Sequence, residues 1–261
     1  GVSRAFEIPG SDTIMNELAC TKISAPSTDK TDITMQIHDI NTGYEPICGF
    51  SIKSELGSAP TLLNASGATN FVYEVSGISD ELAEQINAID SKTKILDRIQ
   101  MITENGTMKY SHMKNKVFSG NLMLIDTYME EIIAHLLLLY YQNQATDSDK
   151  LIRIIEEQNP LGYPRKGIYA YKFKKFLCSI ALGMMPSKEW DGHDEANGGY
   201  VIVKDNGEVL AYHIYNRDAF EKYLLNNTKF ERGSTGKHGF ATLYMENGKR
   251  YINLNLQIRF I

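Results

Sequence analysis

The sequence predicts an α/β protein with a mixed sheet, in which a helix-rich middle separates two parts rich in strands. Residues 31–38 alternate polar and apolar side chains, which is the pattern of a half-buried strand. Residues 119–142 instead carry apolar side chains at helical spacing. The last third contains Asn206-Gly207 and Asn247-Gly248, which are two strong hairpin signals.

The length of 261 residues fits one large domain or two small ones. We expect three parts, over residues 1–118, 119–190 and 191–261, which could all belong to one compact domain. The net charge of −5 gives no global attraction to nucleic acid, so any DNA binding must depend on local basic patches.

Cysteine usage and hydropathy indicate a cytoplasmic protein. Cys20, Cys48 and Cys178 show neither zinc spacing nor a disulfide framework, which is typical of a reducing cytosol. No secretory signal is visible. Asp126 and other charged side chains interrupt the apolar run of residues 119–142, so we expect a core helix there and no membrane partner.

Local signals predict the elements at the start of the chain. Ser11 caps a first helix that runs to about Ala19. The strand at residues 31–38 and a second strand at 47–53 flank turn residues at 41–44, and together they form a hairpin.

The signals continue beyond this hairpin. Residues 55–67 are rich in Ser, Gly, Pro and Asn, which predicts a loop. Caps, periodicity and turn residues then predict, in order, a strand at Asn70 to Val75, helices from Ser79 and from Ser91 to Met101, a hairpin turn at Asn105-Gly106, the core helix, helices near 147–158 and 170–182, a helix near 216–226 between the two late hairpins, and a last strand from Tyr251 to Ile261.

The first hairpin has one polar and one apolar face. If Ile40 faces Glu45 across the turn, Asp32 lies directly opposite Lys53. Because side chains alternate between faces, the polar face holds Asp32, Thr34, Gln36, Gly49, Ser51 and Lys53. The other face holds Ile33, Met35, Ile37, Phe50 and Ile52, and we expect this apolar face to meet the core.

This polar face suits metal-assisted cleavage of a phosphodiester. Such hydrolysis needs a hard cation, and Mg²⁺ prefers oxygen ligands while keeping several waters. Asp32 and the backbone carbonyl of Ile52 would bind the ion. Lys53 would hold or deprotonate the attacking water, or stabilise the charged transition state. Ser51 stands where a second acid is expected, and Glu17 on the first helix is our candidate catalytic and metal-binding replacement.

An ordinary interpretation stays open for each of these carboxylates. An Asp opposite a Lys on a solvated sheet face is a common cross-strand ion pair, worth about 0.2–1 kcal/mol. Glu17 would equally be a solvated carboxylate on a helix.

Two blocks of the sequence resemble a known family. Thr31-Asp32, followed by the run GFSIKS over residues 49–54, is similar to the catalytic hairpin of PD-(D/E)xK nucleases with Ser in the acid position. The longer run GFSIKSELGSAPTLLNASGATNF and the ending LNLQIRF look like the HpaII-type restriction endonucleases. The resemblance extends from Arg4 to Phe260, although Thr31 replaces the Pro that precedes the Asp in the nuclease motif.

The resemblance implies a restriction-endonuclease-like PD-(D/E)xK core in residues 1–118, a helical insertion in 119–190 and a DNA-recognition part in 191–261. It also implies a type II restriction endonuclease that cuts double-stranded DNA at 5′-CCGG with Mg²⁺. We expect Mn²⁺ to substitute, because hard oxygen ligands accept both ions, and we expect the protein in the bacterial cytoplasm. A palindromic site suits a homodimer or two successive nicks. We expect no nucleotide cofactor, because no Gly-rich phosphate-binding motif is present.

Two alternatives to a restriction enzyme stay open. The first is another nuclease of this fold that acts in DNA repair or on a particular DNA structure. The second is a catalytically silent DNA-binding module, because the fold does not by itself determine the function.

The last strand is a candidate for reading bases. Asn253, Asn255, Gln257 and Arg259 fall on one face if residues 251–261 form one strand. Arg, Asn and Gln make bidentate contacts to guanine and adenine edges, so we expect base contacts from Asn255, Gln257 and Arg259. A sheet with one wet face would produce the same alternation.

Two loops complete the predicted DNA interface. Residues 229–238 combine cations, hydroxyls and glycines, which suits phosphate contacts, although a plain basic loop has the same composition. The polar residues just after Lys53 could read a base edge or fix the sugar-phosphate path, or they could only cap turns. The candidates in these two loops are Ser54, Ser58, Thr61, Asn64, Arg232, Ser234, Lys237 and His238.

Overall fold

The computed structural model describes residues 13, 16, 31–36, 38, 43, 45–54, 59–204, 206–213, 216–233 and 240–261, without the side chains of Met35 and His213. The first helix expected at 11–19 lies outside this set, except for Thr13 and Asn16, which are both helical. Within the described part the protein has a mixed α/β fold of the restriction-endonuclease-like kind, as the sequence predicts.

Helices form most of the middle of the chain. Ser79 caps the first of them, because its hydroxyl accepts a hydrogen bond from Leu82 N. None of the described helices is long and apolar enough to cross a bilayer. The α-helices in the described residues are α1 (Asp80–Ala88), α2 (Lys94–Asn105), α3 (Lys116–Ile125), α4 (Met129–Tyr141), α5 (Ser148–Gln158), α6 (Ile168–Leu182) and α7 (Arg217–Asn226).

The prediction of a single core helix over residues 119–142 is wrong, because two helices, α3 and α4, occupy that stretch. Between them, Asp126 Oδ1 accepts a hydrogen bond from Tyr128 N at 2.9 Å. This local bond offers the backbone a partner outside the helix and competes with its continuation. The prediction of a core position does hold for α4, most of whose side chains are buried.

The strands in the described part of the chain form three sheets. Their orders are β1-β2-β6-β7, β5-β4-β10-β9 and β3-β11-β8. The strands are β1 (Ile33–Gln36), β2 (Ile47–Ser54), β3 (Thr61–Leu63), β4 (Asn70–Ser76), β5 (Thr107–Met113), β6 (Gly199–Val203), β7 (Val209–His213), β8 (Thr228–Phe230), β9 (Leu243–Glu246), β10 (Lys249–Asn255) and β11 (Ile258–Phe260).

The late hairpins are confirmed, but the turn expected at Asn105-Gly106 is not a hairpin turn. Asn206-Gly207 lies between the antiparallel strands β6 and β7, and Asn247-Gly248 lies between β9 and β10. Gly106 instead lies between α2 and β5. A Cβ on Gly106 would overlap the Ser76 carbonyl oxygen, so glycine is required by the close approach of β4.

The single strand expected over residues 251–261 is also wrong. β10 pairs with β4 and β9, whereas β11 pairs with β3 and β8 in a different sheet. The chain leaves the first sheet at Leu256, whose N–H donates to Thr69 O at 3.0 Å rather than to a neighbouring strand. Side chains on β10 and β11 therefore do not form one continuous face.

The register of the first hairpin differs from the expected one. Ile33 pairs with Phe50 and Gln36 with Ile47, so Asp32 faces Ser51 rather than Lys53. The hydrogen bond from Asp32 N to Phe50 O, 2.8 Å long, extends the same register. Paired residue numbers therefore sum to 83, whereas a four-residue turn at 41–44 requires a sum of 85. Because the shift is by two residues, each side chain keeps its expected face.

On β2 the face that carries Gly49 and Ser51 is more deeply buried than the face that carries Phe50 and Ile52, which is the opposite of the expectation. Ser51 is only 2% exposed, whereas Ile33 on the apolar face is 46% exposed. β2 pairs in parallel with β6, and the Tyr200 ring of β6 lies 5.0 Å from the Phe220 ring of α7. Packing against α7 therefore buries the face that carries Ser51, and the hairpin's own alternation could not reveal this.

Candidate active site

Asp32 stands just before β1, and its carboxylate is fixed against the edge of β2. Its Oδ2 atom accepts hydrogen bonds from Ile52 N at 2.5 Å and from Ser51 Oγ at 3.3 Å. The carboxylate is exposed, and within the described residues Oδ1 accepts no hydrogen bond. One carboxylate oxygen is thus anchored while the other stays available to an external ligand.

Ser51 takes the place where a second acid was expected, and its hydroxyl donates to Asp32. A buried carboxylate at this position would place two like charges side by side, and each would raise the pKa of the other. The serine therefore anchors the metal-binding candidate rather than adding a second ligand. Glu17, our candidate for the second acid, lies outside the described residues.

Lys53 lies two residues after Ser51 on the same face of β2, and its register partner on β6 is Ile202. It is half-buried, and among the described residues its ammonium forms no ion pair within 4.0 Å. The ordinary cross-strand ion pair with Asp32 is thus absent from this part of the structure. The Lys53 charge remains available for a phosphate or a water molecule.

The segment before β6 forms hydrogen bonds to the backbone of β2. Asn197 Oδ1 accepts a hydrogen bond from Gly49 N at 2.8 Å, and Gly198 N donates to Gly49 O at 2.7 Å. A Cβ on Gly49 would lie 2.6 Å from the Glu195 carbonyl oxygen, so only glycine allows this approach. Sequence analysis missed Asn197, because its partner is 148 residues away and no local pattern connects them.

Tyr200 is a second residue that sequence analysis missed. It lies beside Ser51 in the parallel register of β2 and β6 and is 0% exposed. Its hydroxyl has no hydrogen-bond partner among the described residues. Burial raises the pKa of the Tyr200 phenol, and the nearby Tyr223 and Asp32 raise it further, so the hydroxyl keeps its proton.

The oxygen donors at this hairpin fit Mg²⁺. The described residues contain no cluster of three His, Cys, Asp or Glu side chains that could hold a metal ion. Mg²⁺ needs only one or two carboxylates from the protein, because it retains several waters. Asp32 Oδ1 would provide that carboxylate oxygen, and the backbone carbonyl of Ile52 is the second candidate ligand.

Asn255 belongs to a buried network rather than to a wet face. Its side chain is 0% exposed, and its Nδ2 atom donates to Ser66 O and Asn70 Oδ1, each at 2.7 Å. Ser66 and Thr69 form a capping box around a short 3-10 helix, and Thr69 also contacts Asn255. In this structure Asn255 joins the loop after β3 to β10, and base reading by Asn255 would require the network to open.

Gln257 and Arg259 are half-buried and share one carboxylate. Glu231 Oε2 accepts a hydrogen bond from Gln257 Nε2 at 2.8 Å and lies 2.9 Å from Arg259 Nε. The Nε–H bond of Arg259 does not point at Glu231 Oε2, so the contact between Arg259 and Glu231 is an ion pair without a hydrogen bond. Arg259 Nη1 approaches Ala59 O at 3.3 Å, and Nη2 has no partner among the described residues. Sequence analysis did not single out Glu231.

The two predicted DNA-contact loops lie next to each other. A Cβ on Gly233 would lie 2.6 Å from the Ala65 Cβ, which places the loop after β8 against the loop after β3. Burial raises the pKa of Tyr140 to about 12, and Arg232 beside its hydroxyl opposes that rise. Of the remaining DNA-contact candidates, Ser54 and Asn64 are exposed, and Thr61 is half-buried opposite Arg259. The other four lie outside the described residues: Ser58, Ser234, Lys237 and His238.

The mixed sheets and helices are consistent with the restriction-endonuclease-like class of folds. Comparison with known proteins narrows the class further. The HpaII restriction endonuclease family model matches residues 2–260. The chain is 43% identical over 263 residues to the Type II restriction enzyme HpaII of Haemophilus parainfluenzae, covering 99% of this chain and 73% of that one. No solved structure matches.

The chain therefore belongs to the HpaII restriction endonuclease family, which confirms the resemblance seen in the sequence. As a member of that family it is a site-specific deoxyribonuclease whose substrate is DNA.

Proposed function

We propose that this chain is a Mg²⁺-dependent type II restriction endonuclease that cuts double-stranded DNA at 5′-CCGG. The observation that supports the chemistry is the Asp32 carboxylate, which Ile52 N and Ser51 Oγ anchor through Oδ2 alone. Lys53, which forms no ion pair with any described residue, stands on the same face of the sheet. The proposal for the base sequence rests on the resemblance to the HpaII-type enzymes.

The residues of the hairpin divide the work of hydrolysis. Bound Mg²⁺, or Mn²⁺ in its place, would neutralise phosphate charge and lower the pKa of a water molecule. Asp32 and the Ile52 carbonyl would hold the ion where β1 begins beside β2. Lys53 would either receive the proton of the attacking water as a neutral amine, or, as an ammonium, orient the water and stabilise the pentacoordinate phosphorus as negative charge accumulates. Glu17 remains our proposed additional ligand.

Recognition is assigned to the adjoining loops and to β11. Because Glu231 holds the Nε side of Arg259, its Nη2 edge is left for a guanine, which accepts through O6 and N7. Gln257 can contact a base through its Oε1 atom. Arg232 and the other basic and hydroxyl residues of the loop after β8, together with Ser54, Ser58, Thr61 and Asn64, contact the DNA backbone or flank the base readers.

The assembly on DNA follows from the symmetry of the proposed site. CCGG is identical on both strands, so two equivalent active sites must act on it. We propose a homodimer, and two successive nicks by a monomer are the other arrangement that satisfies the symmetry. The site of action would be the bacterial cytoplasm, where such an enzyme meets incoming DNA.

A digest of plasmid DNA followed by sequencing of the ends tests this function. We expect discrete fragments that end within CCGG in Mg²⁺ or Mn²⁺, DNA binding without cutting in Ca²⁺, and no cutting in EDTA, because Ca²⁺ accepts the same oxygen ligands but activates water poorly. A smear would indicate a nuclease without sequence specificity. Binding without cutting in every metal would indicate a silent DNA-binding module, and undiminished cutting in EDTA would refute the metal mechanism.

A further inference from the structure

Thr31, the residue directly before Asp32, occupies a notch that a glycine leaves on β2. Its side chain is half-buried. A Cβ on Gly49 would lie 2.8 Å from Thr31 Cγ2 and 3.0 Å from Thr31 Oγ1. The missing side chain of Gly49 therefore provides the space in which both the methyl and the hydroxyl group of Thr31 lie against β2.

The Thr31 hydroxyl also contacts the segment before β6. Its Oγ1 atom donates to Glu195 O at 3.3 Å. The same segment binds β2, because Asn197 Oδ1 accepts from Gly49 N and Gly198 N donates to Gly49 O. One short segment thus contacts both the chain before β1 and the middle of β2, and it ties the two strands of the hairpin together beside Asp32.

The acceptor of this hydrogen bond is itself fixed, because both neighbours of Glu195 are bound to helices. Ala196 N donates to Leu182 O at 2.9 Å, at the last residue of α6. Asp194 forms an ion pair with Arg217, the first residue of α7, with 3.2 Å between Oδ2 and Nη1. The Glu195 carbonyl therefore has a defined position relative to the helices that pack behind the sheet.

The contacts of Asp32 show why this tie matters for the carboxylate. Asp32 N donates to Phe50 O at 2.8 Å, and its Oδ2 atom accepts from Ile52 N and Ser51 Oγ, so each of these partners belongs to β2. Asp32 precedes the first residue of β1, so strand pairing does not hold the chain on its N-terminal side. Thr31 holds that side, and a β-branched side chain has few rotamers, so its hydrogen bond restricts the backbone that carries Asp32.

We propose that Thr31 is a positioning residue, whose hydroxyl ties the chain at Asp32 to Glu195 O and so keeps the carboxylate in the orientation that binds the catalytic cation. Without this tie, Asp32 would spend less time in that orientation, and the apparent affinity for the cation would fall in proportion. Partners outside the ligand shell commonly align metal-binding groups in this way. The inference rests on the proposed function, because it assumes that Asp32 binds a cation.

The test compares Thr31→Val and Thr31→Ser with Thr34→Val. Valine keeps the shape of threonine but removes the donor, whereas serine keeps the donor and removes the methyl group. Thr34 is a matched control, because it lies opposite Gly49 on β1, is exposed, and forms no side-chain hydrogen bond with a described residue. Thermal unfolding would be measured without metal, binding to a CCGG duplex against Ca²⁺ concentration, and the cleavage rate against Mg²⁺ concentration.

We expect Thr31→Val to raise the Ca²⁺ concentration for half-maximal DNA binding about fivefold, the factor that corresponds to one ordinary hydrogen bond. Its cleavage rate at limiting Mg²⁺ should fall by a similar factor and recover at saturating Mg²⁺, because only the orientation of the ligand is affected. Its unfolding temperature should stay near that of the wild type, because the lost bond is exposed to water. Thr31→Ser and Thr34→Val should match the wild type in both metal-dependent measurements.

Three results would overturn the role of the Thr31 hydroxyl. A wild-type metal dependence in Thr31→Val would show that the hydroxyl does not position Asp32. An equal loss in Thr31→Ser would show that the methyl group in the Gly49 notch, rather than the hydrogen bond, is responsible. A lowered unfolding temperature in Thr31→Val, with a wild-type Ca²⁺ dependence of the protein that remains folded, would show a purely structural role.

Each of these results leaves the proposed function intact as long as the wild-type protein cuts at CCGG. A wild-type protein that neither responds to Ca²⁺ nor cuts DNA would refute both proposals together.

Discussion

Glu231 and Arg259 form an ion pair at the edge of the candidate DNA interface, with 2.9 Å between Oε2 and Nε. The same carboxylate oxygen accepts from Gln257 Nε2 at 2.8 Å. On β11, Arg259 lies opposite Lys229 of β8 on one side and opposite Thr61 of β3 on the other. One carboxylate therefore fixes the two base-reading candidates that remain partly exposed, and it limits the directions in which Arg259 can point.

Arg259→Ala should relax base discrimination rather than abolish DNA binding. A bidentate arginine contact to guanine is worth about 1–3 kcal/mol of discrimination against the wrong base. Binding of the variant to CCGG and to singly substituted sites, in Ca²⁺ so that no cutting occurs, would measure the loss. If the preference for CCGG is unchanged, Arg259 has only a structural role and recognition belongs to the loop after Lys53.

Glu231→Gln should reduce specificity while leaving general affinity for DNA equal or higher. The glutamine can still accept from Gln257, but it loses the charge that holds the Arg259 guanidinium, a change worth about 1 kcal/mol. Removing a negative charge from the interface also reduces repulsion of the phosphates. The ratio of CCGG binding to binding of unrelated DNA is the measurement, and Glu246→Gln at the exposed end of β9 is the control. An unchanged ratio would show that Arg259 does not depend on Glu231.

Arg232→Ala should weaken DNA binding without changing base discrimination, unlike Arg259→Ala and Glu231→Gln. A lost phosphate contact weakens all sequences alike and lowers the slope of log affinity against log salt by about one unit. Arg232 is exposed beside Tyr140, so removing its side chain leaves the core intact. A salt series on specific and unrelated duplexes would separate the two classes of contact. A selective loss at CCGG would instead reclassify Arg232 as a base reader.

The sequence predicted local structure well where one segment contains its own signal. The late hairpins at Asn206-Gly207 and Asn247-Gly248 and the cap at Ser79 needed no distant information. The predicted register of the first hairpin, β1 and β2, was wrong for the opposite reason. It depended on an assumed turn, whereas pairing with β6 and packing on α7 decide which face is buried.

The same distinction applies to the candidate site. The local motif identified Asp32, Ser51 and Lys53 as one face, and the structure confirms that shared face despite the shifted register. Asn197 and Tyr200 come from a segment about 150 residues later, consistent with the separation of 148 residues between Gly49 and Asn197. Parallel strands cannot be joined by a tight turn and need a crossover of a dozen or more residues, so no pattern within the hairpin could have indicated these partners.

Gly49→Ala tests how closely β2 packs against the backbone at Glu195. The added Cβ would lie 2.6 Å from the Glu195 carbonyl oxygen, so either β2 or that backbone must move. Overpacking of this kind costs about 1–3 kcal/mol of folding free energy, and displacement of β2 should also slow cleavage. Gly120→Ala in α3 is the control, because its Cβ would meet nothing within 4 Å. Equal unfolding temperatures for the two variants would contradict the close approach.

Asp32→Asn and Lys53→Ala should abolish cleavage without unfolding the protein. Asparagine can still accept the hydrogen bond from Ile52 N, so the free energy of unfolding should fall by no more than about 1 kcal/mol. It lacks the charge that binds a hard cation, so Ca²⁺-dependent DNA binding should weaken as well. Lys53→Ala, in contrast, should keep Ca²⁺-dependent binding and lose only turnover, because Lys53 acts on the water and the phosphate. Cleavage in Mg²⁺, circular dichroism and Ca²⁺-dependent binding would be measured on both variants. Near-normal turnover in either one would show that the catalytic centre lies elsewhere.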